Sequence, residues 1–146
     1  MGFFEKVVKM GADVNWVGFW DRTTLMEASR SGNYEMCRRL IKLGANINAA
    51  DHNHSTALHF LCFKDNDSVD ILELLLKNGA DVHHTSNDQK NVLHFAAETG
   101  SLRILKRLLE LGLDPNCVAN DLMTPLHFLL GSNWGTDEND CLLANA

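Results

Sequence analysis

Imidazoles and thiols are the side chains of this 146-residue sequence best equipped for chemistry, and their spacing decides what they could do. His52 and His54 form one close pair, and His83 and His84 a second. Zinc takes four tetrahedral nitrogen or sulfur ligands, but no cysteine pair accompanies the four imidazoles and neither interval matches a closed site. Cys62 follows His59 by three residues, so a helix would set the thiol beside the ring as nucleophile and base. A working pair also needs a third group to orient the base, and none is evident. The expectation is a non-catalytic chain with no metal and no cofactor.

The elements that must carry these residues recur along the chain. Gly11-Ala-Asp-Val-Asn15 returns as Gly44-Ala-Asn-Ile-Asn48, Gly79-Ala-Asp-Val-His83 and Gly112-Leu-Asp-Pro-Asn116, at spacings of 33, 35 and 33 residues. A second segment keeps the same intervals: Thr23-Thr-Leu-Met-Glu-Ala28, Thr56-Ala-Leu-His-Phe-Leu61, Asn91-Val-Leu-His-Phe-Ala96 and Thr124-Pro-Leu-His-Phe-Leu129. A period of this size belongs to stacked supersecondary units whose apolar faces are buried only by their neighbours.

Thr or Asn at the head of the second segment caps a helix by accepting a bond from a backbone N–H of the first turn, and Pro125 falls where its missing N–H costs nothing. The second helix of each unit carries apolar residues at i, i+1, i+4 and i+5: Phe3, Phe4, Val7, Val8; Met36, Cys37, Leu40, Ile41; Ile71, Leu72, Leu75, Leu76; Ile104, Leu105, Leu108, Leu109. These positions share one face of a 3.6-residue helix. The glycines that follow supply a left-handed helix end. About a dozen residues rich in Asn, Asp and His then lead to the next cap, as an extended loop or a β-hairpin finger.

With these two motifs in register over nearly its whole length, the chain resembles the ankyrin-repeat family, whose units open on Thr-Pro-Leu-His-x-Ala and end near Gly-Ala-Asp-Val-Asn. Thr124 to His127 matches that opening residue for residue. The resemblance implies an all-α solenoid of helix–turn–helix units with β-hairpin fingers. Within a domain of 1–146 the units run 20–52, 53–87 and 88–120, with a partial repeat at 1–19 and an incomplete C-terminal one at 121–146. Two extra residues within Lys64-Asp-Asn-Asp-Ser68 account for the longer unit, a cheap insertion in an exposed turn. After Gly131-Ser-Asn-Trp-Gly-Thr136, one turn of a second helix is expected around Cys141, Leu142 and Leu143.

The resemblance assigns His59, His94 and His127 a structural bond to their caps, a role that Met26 is not expected to fill. Glycine usually stands two residues before the cap, where this chain has Asp21, His54, Gln89 and Leu122. Phe60, Phe95 and Phe128 should form a packed ladder about 8–10 Å apart, at ordinary helix spacing, or else a hydrophobic groove.

A non-catalytic protein-interaction scaffold is the function implied, with a protein partner held by finger tips and the concave face of the first helices. Trp16, Phe19, Trp20 and Arg22 stand out in the first finger, because aromatic and arginine side chains dominate binding hot spots. The competing reading packs these rings on the neighbouring finger. Asn116, with Leu108 and Asp114 ahead of it, also fits the pattern of asparagines hydroxylated in animal ankyrin proteins. Two other roles are a small regulatory inhibitor resembling the inhibitor-of-NF-κB proteins and the substrate-recruiting part of a ubiquitin ligase.

Composition narrows the partners. A net charge of −6 argues against nucleic acid, and Arg38, Arg39 and Lys42 read as a solvated helix face. Acidic residues cluster only at Asp65, Asp67, Asp70 and at Asp137, Glu138, Asp140. No apolar run suits a membrane span, no secretory leader opens the chain, and widely spaced Cys37, Cys62, Cys117 and Cys141 read as reduced thiols. An intracellular, cytosolic or nuclear protein is expected. Both ends look cut, so the apolar edge at Phe3, Phe4, Val7 and Val8 is expected to be covered by flanking repeats, by a partner, or by end-to-end self-association.

Overall fold

The computed structural model describes residues 2–63 and 67–131. Residues 64–66 of the segment expected to hold the insertion, the loop after Gly131 through Thr136, the turn expected at Cys141 to Leu143 and the acidic cluster at Asp137, Glu138 and Asp140 lie outside the described residues.

Helices account for the regular structure: α1 (Phe3–Lys9), α2 (Thr24–Arg30), α3 (Tyr34–Lys42), α4 (Ala57–Leu61), α5 (Val69–Lys77), α6 (Val92–Thr99), α7 (Leu102–Glu110) and α8 (Pro125–Gly131). Each antiparallel pair, α2 with α3, α4 with α5 and α6 with α7, packs on the next, so α2, α4, α6 and α8 form one row and α3, α5 and α7 a second. The fold is an all-α stack, as the period requires.

The core runs lengthwise between the rows. Leu25, Leu58 and Leu93 of the first helices meet Leu40, Ile71, Leu75, Ile104 and Leu108 of the second, all with almost no exposed surface. Of the second-helix stripe, Cys37 and Leu40 of α3, Ile71, Leu72 and Leu75 of α5 and Ile104, Leu105 and Leu108 of α7 are buried, but α1 buries none of its residues.

Gly11, Gly44, Gly79 and Gly112 have φ of 104°, 90°, 91° and 86°. A Cβ there would meet nothing within 4 Å, so the left-handed backbone alone demands glycine.

The fingers are tight turns instead of paired strands. Among the described residues the one bridge is Val17 with Thr23. Each turn closes through the same bond: Gly18 N–H to the Arg22 carbonyl at 2.9 Å, Asp51 to Ser55 at 3.0 Å, Ser86 to Lys90 at 2.9 Å and Ala119 to Met123 at 3.0 Å. Closing so short a loop forces Asp21, His54, Gln89 and Leu122 to φ of 58–61°. The missing glycines therefore do not change the turn; the chain adopts it with other residues.

Candidate functional site

Capping geometry fixes where the first helices begin. The Thr56 N–H donates to Nδ1 of His59 at 3.1 Å, Asn91 to His94 at 3.2 Å and Thr124 to His127 at 3.1 Å. An Nδ1 that accepts leaves the ring proton on Nε2, and in His94 that nitrogen reaches the Met123 carbonyl at 3.3 Å. Met26 departs from expectation, for its sulfur accepts the Thr23 N–H at 3.4 Å while Thr23 Oγ1 accepts the Met26 N–H at 3.3 Å. A thioether is a weak acceptor, but on a side chain of the right length it closes the same box.

These imidazoles also link the repeats through their rings. His59 meets the edge of Phe95 at 4.9 Å and His94 that of Phe128 at 5.7 Å. Phe63 lies between Phe60 at 5.5 Å and Phe95 at 5.7 Å. The expected ladder is thus filled by interleaved histidines and Phe63. Phe60 is buried, whereas Phe95 and Phe128 keep part of their surface.

Between this aromatic row and the finger turns runs a groove of about 640 Å³. Phe60, Phe63 and Phe95 line it together with Arg22, Lys90 and Glu98. The Arg22 guanidinium lies 5.1 Å from the centre of Phe60 and pairs with Glu27 at 3.5 Å. Lys90 lies 4.2 Å from the centre of Phe128 and pairs with Glu98 at 3.2 Å. Asp51 completes its own turn by accepting the N–H groups of Asn53 and Ser55 at 3.0 and 2.7 Å. A surface with rings at its base and paired charges at its rim offers apolar contact and polar register to a peptide or loop.

Of the four residues singled out in the first finger, the Phe19 and Trp20 rings lie 6.4 Å apart. Arg22 enters the groove; Trp16, Phe19 and Trp20 do not line it. Trp20, at φ 62°, sets its ring 5.7 Å from His52 of the next finger and its carbonyl accepts the His52 N–H at 2.9 Å. Trp16 and Phe19 remain 73% and 88% exposed. Lys90, in register with Arg22, and Phe63, one turn after Phe60, also line the groove, and neither stands out in the sequence alone.

The other finger histidines are spread along the array. His54 stacks on His84 at 6.4 Å, with Nε2 of His84 3.0 Å from the His54 carbonyl. Among the described residues no group of three His, Cys, Asp or Glu side chains could hold a metal ion. Burial raises the Cys62 thiol well above its ordinary value, which leaves it protonated and unreactive. Asn116 is exposed, and its N–H donates to Asp114 Oδ1 at 2.9 Å.

The stacked helix pairs and glycine-ended second helices define a helical repeat array. The sequence model for ankyrin repeats in three copies matches residues 2–86 and 58–134, and the chain belongs to the ankyrin-repeat family. It is 34% identical over 99 residues to the ankyrin repeat and KH domain-containing protein mask-1 of Caenorhabditis elegans, covering 67% of this chain and 4% of that protein. The palmitoyltransferase ZDHHC17 of Homo sapiens is 30% identical over 84 residues, 57% of this chain and 12% of the enzyme. The potassium channel AKT2/3 of Arabidopsis thaliana is 40% identical over 58 residues, 40% of this chain and 7% of the channel. The chain thus spans only a small fraction of these relatives. Ankyrin repeats are what the family comparison detects, and among the described residues no helix is long and apolar enough to cross a membrane.

Proposed function

We propose that residues 1–146 form a non-catalytic scaffold that binds a protein partner along the concave groove, with the finger tips as a second contact. The division into units at 20–52, 53–87 and 88–120, flanked by partial units, belongs to the same reading. Its principal support is the groove itself, where Phe60, Phe63 and Phe95 lie beside the charges of Arg22, Lys90 and Glu98. Rings held in place by helix packing lose little entropy when a partner covers them.

Trp16, Phe19, Trp20 and Arg22 divide between two roles in this proposal. Arg22 orients a ligand in the groove, while Trp16 and Phe19 contact it from the first finger. Partner capture with the intact chain, a Trp16→Ala/Trp20→Ala variant and a Phe63→Ala/Lys90→Ala variant tests this. A specific partner retained by the intact chain and lost by the groove variant, with its melting curve unchanged, supports the groove. Equal retention by all three chains would sink the reading. Asn116 is proposed as a hydroxylation acceptor on its exposure and its match to the family pattern; intact-mass analysis of native protein showing no added oxygen would remove it.

A further inference from the structure

The repeats set a cation over the aromatic row at two of their junctions and leave it out at the junction between. The Arg22 guanidinium lies 5.1 Å from the centre of Phe60, and the Lys90 ammonium 4.2 Å from that of Phe128. Arg22 and Lys90 hold the same place in their units, each supplying the carbonyl that closes its finger turn, and Ser55 holds that place in the unit between them. In the same register Phe95 stands where Phe60 and Phe128 stand. Serine has no charge to set over that ring, and among the described residues no cation lies over Phe95. Phe95 nonetheless keeps part of its surface and lines the groove.

The groups that share the groove with this ring favour a cation from outside. Arg22 and Lys90 are each neutralised by a glutamate, Glu27 at 3.5 Å and Glu98 at 3.2 Å. Asp51 and Asp88 also line the groove, and among the described residues neither is in an ion pair. Asp51 is 5% exposed and commits Oδ1 to the N–H groups of Asn53 and Ser55, which leaves Oδ2 as an acceptor. Ser86, 6% exposed and also lining the groove, has a buried hydroxyl with no hydrogen-bond partner among the described residues. The Arg22 Nε–H is buried and unpartnered in the same way.

We propose that the groove recognises an arginine of its protein partner, whose guanidinium takes over Phe95 the place that Arg22 takes over Phe60. A planar guanidinium stacks on a ring and forks its N–H groups toward acceptors beside it, whereas an ammonium is a compact point charge. Asp51 Oδ2 and the Ser86 hydroxyl are those acceptors, and the Arg22 Nε–H donates to a main-chain carbonyl of the same bound segment. This inference rests on the groove as the binding surface and names the side chain that it selects.

Selection from a random peptide library displayed on phage, with the 146-residue chain as bait, provides the test. Enriched peptides should share an arginine, and replacing it with neutral citrulline should weaken binding about five- to thirtyfold in calorimetry, the range of a partly to fully desolvated cation over a ring. Ser55→Lys, which restores the cation that the other two junctions carry, should weaken the same peptides, and so should Phe95→Leu, which keeps an apolar side chain but removes the ring. Circular dichroism verifies that each variant is folded. A pool without a shared arginine, a citrulline peptide that binds as well, or binding untouched by both Ser55→Lys and Phe95→Leu overturns the proposal. Peptides that Phe63→Ala/Lys90→Ala loses but that need no arginine keep the groove and remove only this inference, whereas peptides that neither that chain nor Ser55→Lys loses remove both.

Discussion

Leu122 holds a conformation that suits glycine far better than leucine. Its φ of 61° is set by the finger turn, in which its N–H bonds the Ala119 carbonyl at 3.0 Å. A left-handed backbone costs a residue with a Cβ about 1–2 kcal/mol, and the exposed Leu122 side chain recovers little by packing. Leu122→Gly should raise stability by about 1 kcal/mol in urea denaturation. The same change at His54 should gain less, because it removes the stacking on His84.

His59 makes stability depend on pH. Burial, reinforced by the neighbouring His84, lowers its pKa from 6.5 to about 4. The unfolded chain therefore binds a proton that the folded chain refuses between these values. Stability should be full above pH 6.5 and decline as pH falls towards 4, by on the order of 3 kcal/mol at most. Melting temperatures across this window should fall for the intact chain and more shallowly for His59→Gln. His94, lowered by burial in the same sense, adds to the slope.

At the scale of the element, the segment before α5 does more than join two helices. Asp67 Oδ2 accepts the Arg103 N–H at 2.9 Å and Oδ1 accepts that of Ile104 at 2.8 Å. Its carboxylate thereby caps α7 of the next repeat, where the residue at the N-cap, Ser101, makes no side-chain capping bond. Asp67→Ala should cost about 1 kcal/mol, the usual worth of a cap and its charge at a helix N-terminus. Asp67→Asn, which keeps an acceptor, should recover part of that loss in the same denaturation assay. Arg107 of α7 and Glu73 of α5 add an exposed ion pair across the same junction.

The whole molecule is a line, so a residue's energetic importance depends on where its unit stands. Leu93 and Leu126 occupy the same repeat position, but Leu93 is wholly buried and Leu126 is 43% exposed on the last described helix. Leu93→Ala should cost about 2–5 kcal/mol and Leu126→Ala under about 1 kcal/mol. Equal losses in thermal denaturation at low protein concentration would contradict a linear array.

Helix pairs, left-handed glycines and capping boxes were legible in the sequence because each depends on residues a few positions apart, repeated four times in register. The groove was only half legible. Arg22 stood out by its neighbours in sequence, but the roles of Phe63 and Lys90 depend on rings from adjacent repeats lying within 6 Å. Met26 as a cap partner, Asp67 reaching into the following unit and the division of the first finger likewise came from contacts between units. Sequence by itself determined the unit and its period, since local bonds and one apolar stripe specify both. Only the tertiary structure decided which side chains meet, because neighbours across the stack are about 30 residues apart along the chain and their contact follows from how the helices pack.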